Sequence, residues 1–448
     1  MQISLTQNRS SDCVIAWNEQ GSISYSQYLT DVIQLVKILP DKKFAINLCE
    51  ERYSFMVAFA AVIVKQQTNL LPQSRVVDNI NEVAKDNPDN YCITEAIIDG
   101  LEIEQTVIDY KVSASNQVEI DFTIKSPTVD AAHIAAIVYT SGSTGKPQAN
   151  SKTWGALVSG ACRSADGFGF VNNPVYIVAT VPPQHMYGLE TSILYCLHTE
   201  CAVYAGRPFY PDDIRSAVES TQQQVVLVTT PVHLRACNGA ANIVWSNIKS
   251  IISATALLRI ELAKQVSEKM KTTVMEIFGC TETGAIASRE PLKSELWRLF
   301  GGLSISCQNN KTLIHGAYNM QDIELSDIVE IVDGNTFKLV GRDQDMVNIA
   351  GKRGSLADLT LKLQSIKDVD DAVVYFPKSN NEVNRLIAFV VSKNIDEKAI
   401  STELAKKVDR VFLPRPIYRV SSLPYNDTGK LTQKDLYNLH QKCKNSKN

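Results

Sequence analysis

Short apolar runs that alternate with stretches of helical length set the tightest limit on the fold of this 448-residue chain. FAINL (44–48) is followed by SFMVAFAAVIVKQ (54–66) and then by TNLLP (68–72). A helix between two strands carries the chain back to the same end of a sheet, so this rhythm calls for parallel pairing. It recurs at VYIVATVP (175–182), VVLVTTP (225–231) and IKSIISAT (248–255), while IELAKQVSEKM (260–270) has the apolar spacing of an amphipathic helix. The expectation is an α/β protein with a large N-terminal domain of mainly parallel sheets flanked by helices.

From about Asp327 the texture changes. DIVEIVDGNTFKLVGRDQD reads as a β-hairpin around Asp-Gly-Asn at 333–335. A helix-like stretch (LADLTLKLQSI), two strands (DAVVYF and RLIAFVV) and a second helix (ISTELAKKVDRVF) follow. These elements make a small α+β C-terminal domain, with the boundary placed between residues 341 and 342. The first domain then covers 1–341 and the second 342–448. The closing QKCKNSKN is polar and reads as frayed.

With 44% apolar and 21% charged residues, the chain has the balance of a soluble globular protein, and a net charge of -3 gives no global sign of nucleic-acid binding. The ten cysteines form no Cys-x-x-Cys pair and no Cys/His cluster of zinc spacing, so they read as free thiols in a reducing compartment. The first residues lack a basic-then-apolar leader pattern, and the longest apolar run, 55–64, is too short to span a bilayer. A cytoplasmic protein without membrane insertion is expected.

The sharpest local feature is Tyr139-Thr140-Ser141-Gly142-Ser143-Thr144-Gly145-Lys146-Pro147, directly after the strand-like HIAAIVYT. Glycines let the backbone approach a ligand closely, N–H and O–H groups can wrap phosphate oxygens, and Lys146 adds a cation. The spacing is not that of a Walker A loop. A Ser/Gly-rich surface loop is the competing reading of this tract alone.

The string resembles the phosphate loop of the adenylate-forming superfamily: acyl-CoA synthetases, peptide-synthetase adenylation domains and luciferases. Further strings match that family in order. Gly279-Cys280-Thr281-Glu282-Thr283-Gly284 resembles its Gly-x-Thr-Glu motif, Asp327 its ribose-holding Asp, and Gly341-Arg342 its hinge Gly-Arg. The string 423–431 (LPYNDTGKL) resembles the C-terminal Pro-x4-Gly-Lys motif. Pro182-Pro183-Gln184-His185-Met186-Tyr187-Gly188-Leu189 resembles the aromatic or His gate of the acid pocket. With LVTTPVHLRAC (227–237), it is similar in particular to the acyl-activating ligases of aryl-polyene biosynthesis.

The resemblance implies two half-reactions. An acid and MgATP give acyl-AMP and pyrophosphate, and then a thiol, of CoA or of a carrier-protein phosphopantetheine, takes the acyl group. It implies Lys430 as the adenylation lysine, with His185 and Thr281 also catalytic, and Glu282 as the Mg²⁺ ligand. Residues 140–146 would take the β- and γ-phosphates, and Gly279 would border the nucleotide. Ala254, Thr255 and Ala256 would lie against adenine, and Asp327 and Arg342 on the ribose. His185, Met186, Tyr187 and Gly188 would line the acid pocket, and Gln344 would be the hinge of a C-terminal domain that the resemblance implies is mobile. The resemblance of the 182–189 string to aryl-acid ligases implies an aryl or unsaturated acid, and an amino acid is the less expected substrate because the Asp that pairs with an α-amine is not evident.

The chemistry agrees with those roles. A carboxylate attacking an α-phosphate brings two anions together, so catalysis must supply positive charge and positioning. Several positions depart from the family: Gln148, Gln344, Thr432, the 354–358 segment (GSLAD) and the short 301–320 stretch. None removes a group that adenylation needs. The rival reading is a degenerate, non-catalytic nucleotide-binding homologue, against which the retention of Glu282 and Lys430 counts. Lys406, Lys407, Arg410, Arg415 and Arg419 gather in one helix-and-loop stretch, a charge that suits an acidic carrier protein.

Overall fold

The computed structural model describes residues 1–110, 124–141, 147–240, 243–308, 311–316, 322–342, 345–349, 352–377, 385–426 and 429–445. They gather into two compact units. The larger holds 1–254, 262–304 and 315–323, and the smaller holds 255–261, 305–314 and 324–448.

In the larger unit, the runs read as strands pair in parallel. Phe44–Asn47 lies between Thr68–Leu71 and Asn90–Thr94, and Thr68–Leu71 pairs on its other side with Ile134–Ser141. Pro147–Thr153 closes that six-stranded sheet as an antiparallel edge. In the second sheet Tyr176–Ala179, Val225–Thr229, Ile248–Ser253 and Thr273–Cys280 are consecutive parallel neighbours. Gly284–Arg289 then turns back antiparallel. These parallel strands are apolar on both faces because helices cover them, hence the unbroken apolar runs rather than alternation.

The helix Arg52–Val64 is buried at almost every position. Asn47 Nδ2 donates to Phe55 O and Asn69 Nδ2 to Phe59 O, each at 3.1 Å. Arg52 Nη2 donates to Ala179 O at 2.8 Å and to Val181 O at 2.9 Å. One helix is thereby bonded to strands of both sheets. The amphipathic helix Ile260–Met270 forms over the residues that its spacing indicates.

In the smaller unit, Asp327–Ile331 and Thr336–Arg342 form the expected hairpin. Asp333 Oδ1 accepts from the amides of Asn335 and Thr336 at 2.8 Å and closes its turn. The helix Leu356–Gln364 packs beside a three-stranded sheet in which Ile387–Val391 lies between antiparallel Asp371–Tyr375 and parallel Ile417–Arg419. Two expectations are corrected. The single helix over 400–412 is a helix Glu397–Ala405 and a separate 3-10 turn Arg410–Phe412, because Asp409 accepts from Val411 N and starts a new cap. The polar tail is helical through Asn445, in a helix that starts at Gln433 and buries Leu436 and His440.

All ten cysteines are free thiols. Among the described residues no helix is long and apolar enough to cross a membrane.

Candidate active site

In the second sheet the motif segments leave the carboxyl ends of adjacent parallel strands, where open α/β sheets bind ligands. The strand Thr273–Cys280 ends in the Gly-x-Thr-Glu motif, whose sequence explains its tight turn. Cys280 faces Gly284 across the hairpin, and Gly284 has φ of 67°. A Cβ on Gly279 would stand 2.0 Å from Gly284 O, so only glycine fits there. Thr283 Oγ1 accepts from Cys280 N at 3.3 Å and lies 2.9 Å from Gly284 O, to which it donates. These bonds leave Thr281 half-buried and Glu282 exposed at the tip.

Two buried side chains under this turn escaped the sequence reading. Lys152, from the strand Pro147–Thr153, donates to Glu282 O at 2.8 Å. Glu190 accepts from Ala285 N at 3.0 Å and from Ser164 Oγ at 2.8 Å. Burial pushes the Glu190 carboxyl above the usual range, against the pull of its hydrogen bonds and of Arg163 and Lys152. Burial lowers Lys152, with Cys280, Glu282 and Glu190 opposing. The signal available was a glutamate, the one charged residue in the largely apolar run LETSILYCL (189–197).

The segment expected to line an acid pocket begins where Tyr176–Ala179 ends. His185 is half-buried just before a short helical turn, Met186–Gly188, and Met186 is 7% exposed. The chain continues as a π-helical stretch, Leu189–Leu194, a geometry found often at functional sites. A Cβ on Gly188 would lie 2.1 Å from Pro182 O. Tyr187 differs from the expected pocket wall in one respect. Its hydroxyl is held 2.8 Å from Ile252 O and 3.2 Å from Thr229 O, bracing the ends of two strands. Arg52, also missed, is fully buried and holds the carbonyls at the start of this segment, and burial lowers it to about 9.

Thr140 and Ser141 end the strand Ile134–Ser141, opposite Gln148 and Pro147. The tract between them therefore links two antiparallel strands. Gly142, Ser143, Thr144, Gly145 and Lys146 lie outside the described residues, as does Gln344.

Ala254 follows the strand Ile248–Ser253, and Thr255 has φ of 77°. A β-branched residue there stores strain of about 1–3 kcal/mol, a pattern concentrated at ligand sites. Ala256 is exposed.

In the smaller unit Asp327 is 5% exposed and stands directly opposite Arg342 across the hairpin, so the two ribose candidates are backbone neighbours. Lys430 is exposed on a tight turn. Its amide donates to Asn426 Oδ1, its carbonyl accepts from Asn426 N, both at 2.9 Å, and Gly429 has φ of 72°. Lys430, Asp327 and Thr255 belong to the smaller unit, and Glu282, Thr281 and His185 to the larger.

Among the described residues no three His, Cys, Asp or Glu side chains cluster as a metal cage. The donor set still fits Mg²⁺, which keeps several waters and takes one or two carboxylates plus substrate phosphates. The exposed Glu282 is the carboxylate that would serve such an ion.

Comparison with known proteins finds relatives of low sequence identity and solved structures of the same fold. The chain is 23% identical over 355 residues to the peroxisomal OPC-8:0-CoA ligase 1 of Arabidopsis thaliana, covering 69% of this chain and 65% of that protein. A 24% match to the D-alanine–D-alanyl carrier protein ligase of Bacillus cereus covers 76% and 79%. The chain spans under two thirds of the length of the first relative and 63% of the "Probable CoA ligase CCL5" of Humulus lupulus. Among solved structures, ATP-bound MatB from Rhodopseudomonas palustris superposes with a TM-score of 0.80 at 16% identity, covering 97% of both chains. O-succinylbenzoate coenzyme A synthetase from Bacillus subtilis, in complex with AMP, gives 0.78 at 16% identity, covering 97% and 98%. The AMP-binding enzyme family matches residues 44–314, more than half of the chain, and the protein belongs to that family.

Proposed function

We propose that this protein is an ATP-dependent, AMP-forming acid–thiol ligase that activates an aryl or unsaturated carboxylic acid. The observation that carries this reading is the tight hairpin that exposes Glu282 beside Thr281 at the carboxyl edge of the parallel sheet, in a chain of the AMP-binding family. Mg²⁺, when bound, neutralises charge on the phosphates of ATP. Glu282 holds it, Thr281 meets the α-phosphate, and residues 140–146 take the β- and γ-phosphates. Asp327 and Arg342 hold the ribose, with Ala254, Thr255 and Ala256 against adenine and Gly279 beside the nucleotide. Lys430 places its cation between carboxylate and α-phosphate, where the two anions meet. His185 and Met186 border the acid.

In this reading residues 342–448 turn about Gln344 between adenylation and thioester formation. The acceptor thiol belongs to CoA or to a carrier protein, the two acceptors printed in the names of the relatives. We place carrier protein first, on the basic stretch from Lys406 to Arg419. Part of that charge is engaged internally. Lys406 pairs with Glu403 at 2.6 Å, and Lys407 donates to Ser365 Oγ at 2.6 Å. A pyrophosphate-release assay across a panel of acids tests the proposal. Acid-dependent release is expected, and ATP binding without release for any acid would favour a non-catalytic homologue.

A further inference from the structure

Two buried charges of opposite sign grip the turn that carries Thr281 and Glu282. Lys152 is 5% exposed and bonds the carbonyl of Glu282, while Glu190 is 2% exposed and bonds the amide of Ala285, on the other leg of the hairpin. Neither residue belongs to the hairpin. Lys152 lies on the strand Pro147–Thr153, and Glu190 on the stretch that follows the 185–188 segment. Burying two charges is costly, and apolar side chains of similar volume would fill the space at lower cost. What packing cannot supply is direction. A buried ammonium orients a carbonyl and a buried carboxylate orients an amide, which together fix the backbone dihedrals on both sides of Gly284.

We infer that Lys152 and Glu190 are positioning residues for adenylation, which aim Glu282 at MgATP and hold its turn in register with the phosphate-loop strand and the acid segment. This rests on the ligase reading proposed above.

The test is calorimetric ATP binding to the full chain, with EDTA and with Mg²⁺, alongside thermal melting, for Lys152→Met, Glu190→Gln and Lys152→Met/Glu190→Leu. Changes behind a ligand residue weaken metal affinity by roughly 10–100-fold, so each variant should need about tenfold more Mg²⁺ to tighten ATP, with ATP affinity in EDTA unchanged. The double variant should melt at or above the wild-type temperature and still lack the Mg²⁺ response. Recovery of both melting and Mg²⁺ response in the double variant would show that the pair only fills space, and would overturn the inference. Glu190→Gln preserves shape and one acceptor, which guards against early melting of the methionine variant. A wild-type Mg²⁺ response in it likewise overturns the pair's role. Unmutated protein whose ATP binding ignores Mg²⁺ removes the ligase reading and the inference with it.

Discussion

Lys430 is exposed, and hydrogen bonds to Asn426 fix its backbone in the turn. In the proposed reaction its charge acts only while acyl-AMP forms. Lys430→Ala should lower acyl-AMP formation by about 10²–10³-fold, the scale for losing one aimed charge at a transition state. Thioester formation from supplied acyl-AMP should be unchanged, and equal losses in both half-reactions would remove the role. The exposed turns that carry Glu282 and Lys430 were legible because each sits in a string of turn residues with its own reason to exist. Lys152 and Glu190 were not. A lysine on a polar strand reads as solvated until its partner, here a carbonyl 130 positions away, is known. Likewise nothing in LVTTPVHLRAC shows that His233 is buried and packs against Phe209, with ring centroids 5.1 Å apart.

At the scale of elements, the strand–helix–strand rhythm was readable because apolar runs of strand length lay between helices. The break at Asp409 was not, because a capping aspartate competes locally with an otherwise continuous helical pattern. The Gly188 turn leaves no room for a Cβ, so Gly188→Ala should shift the segment 185–188 and raise KM for the acid while KM for ATP changes little; steady-state kinetics for both substrates check this. Met186→Ala should widen acceptance toward bulkier acids, since one methylene-scale change is worth about 1–3 kcal/mol. An unchanged acid profile would move the pocket elsewhere. Gln344→Pro should spare adenylation and suppress thioester formation, because a fixed φ blocks the turn of the smaller domain. Unimpaired turnover would place the hinge at another residue.

For the whole molecule, pH should act through two buried histidines. Burial lowers His198 and His233 to about 4, with Arg9 and Arg207 respectively adding to the effect. Their folded values lie below the unfolded value of about 6.5. The unfolded chain therefore binds more protons, and stability falls as pH drops from about 6.5 toward 4, by at most about 3 kcal/mol per histidine. Asp31 and Glu190, raised by burial, pull the other way. The comparison of unfolding by urea at pH 7 and 4.5 in wild type and His198→Gln isolates the histidine: the variant should lose less stability on acidification. The acceptor is tested at this scale too. In competition between CoA and an acidic holo-carrier protein, acylation of the carrier should dominate and slow as salt rises. Faster acylation of CoA at every ionic strength would overturn the choice.

The helix Arg52–Val64 also has a consequence for how the larger unit comes apart. Its backbone carbonyls are tied to Asn47 and Asn69 of one sheet, and its first arginine to the end of Tyr176–Ala179 in the other. Neither sheet can lose its neighbour without stranding that guanidinium among carbonyls it no longer reaches. Cooperative units of a fold are revealed by amides that open together. The central strands of the two sheets should exchange their protons with solvent at one common, slow rate, and truncating Arg52 to methionine should split that single rate into two.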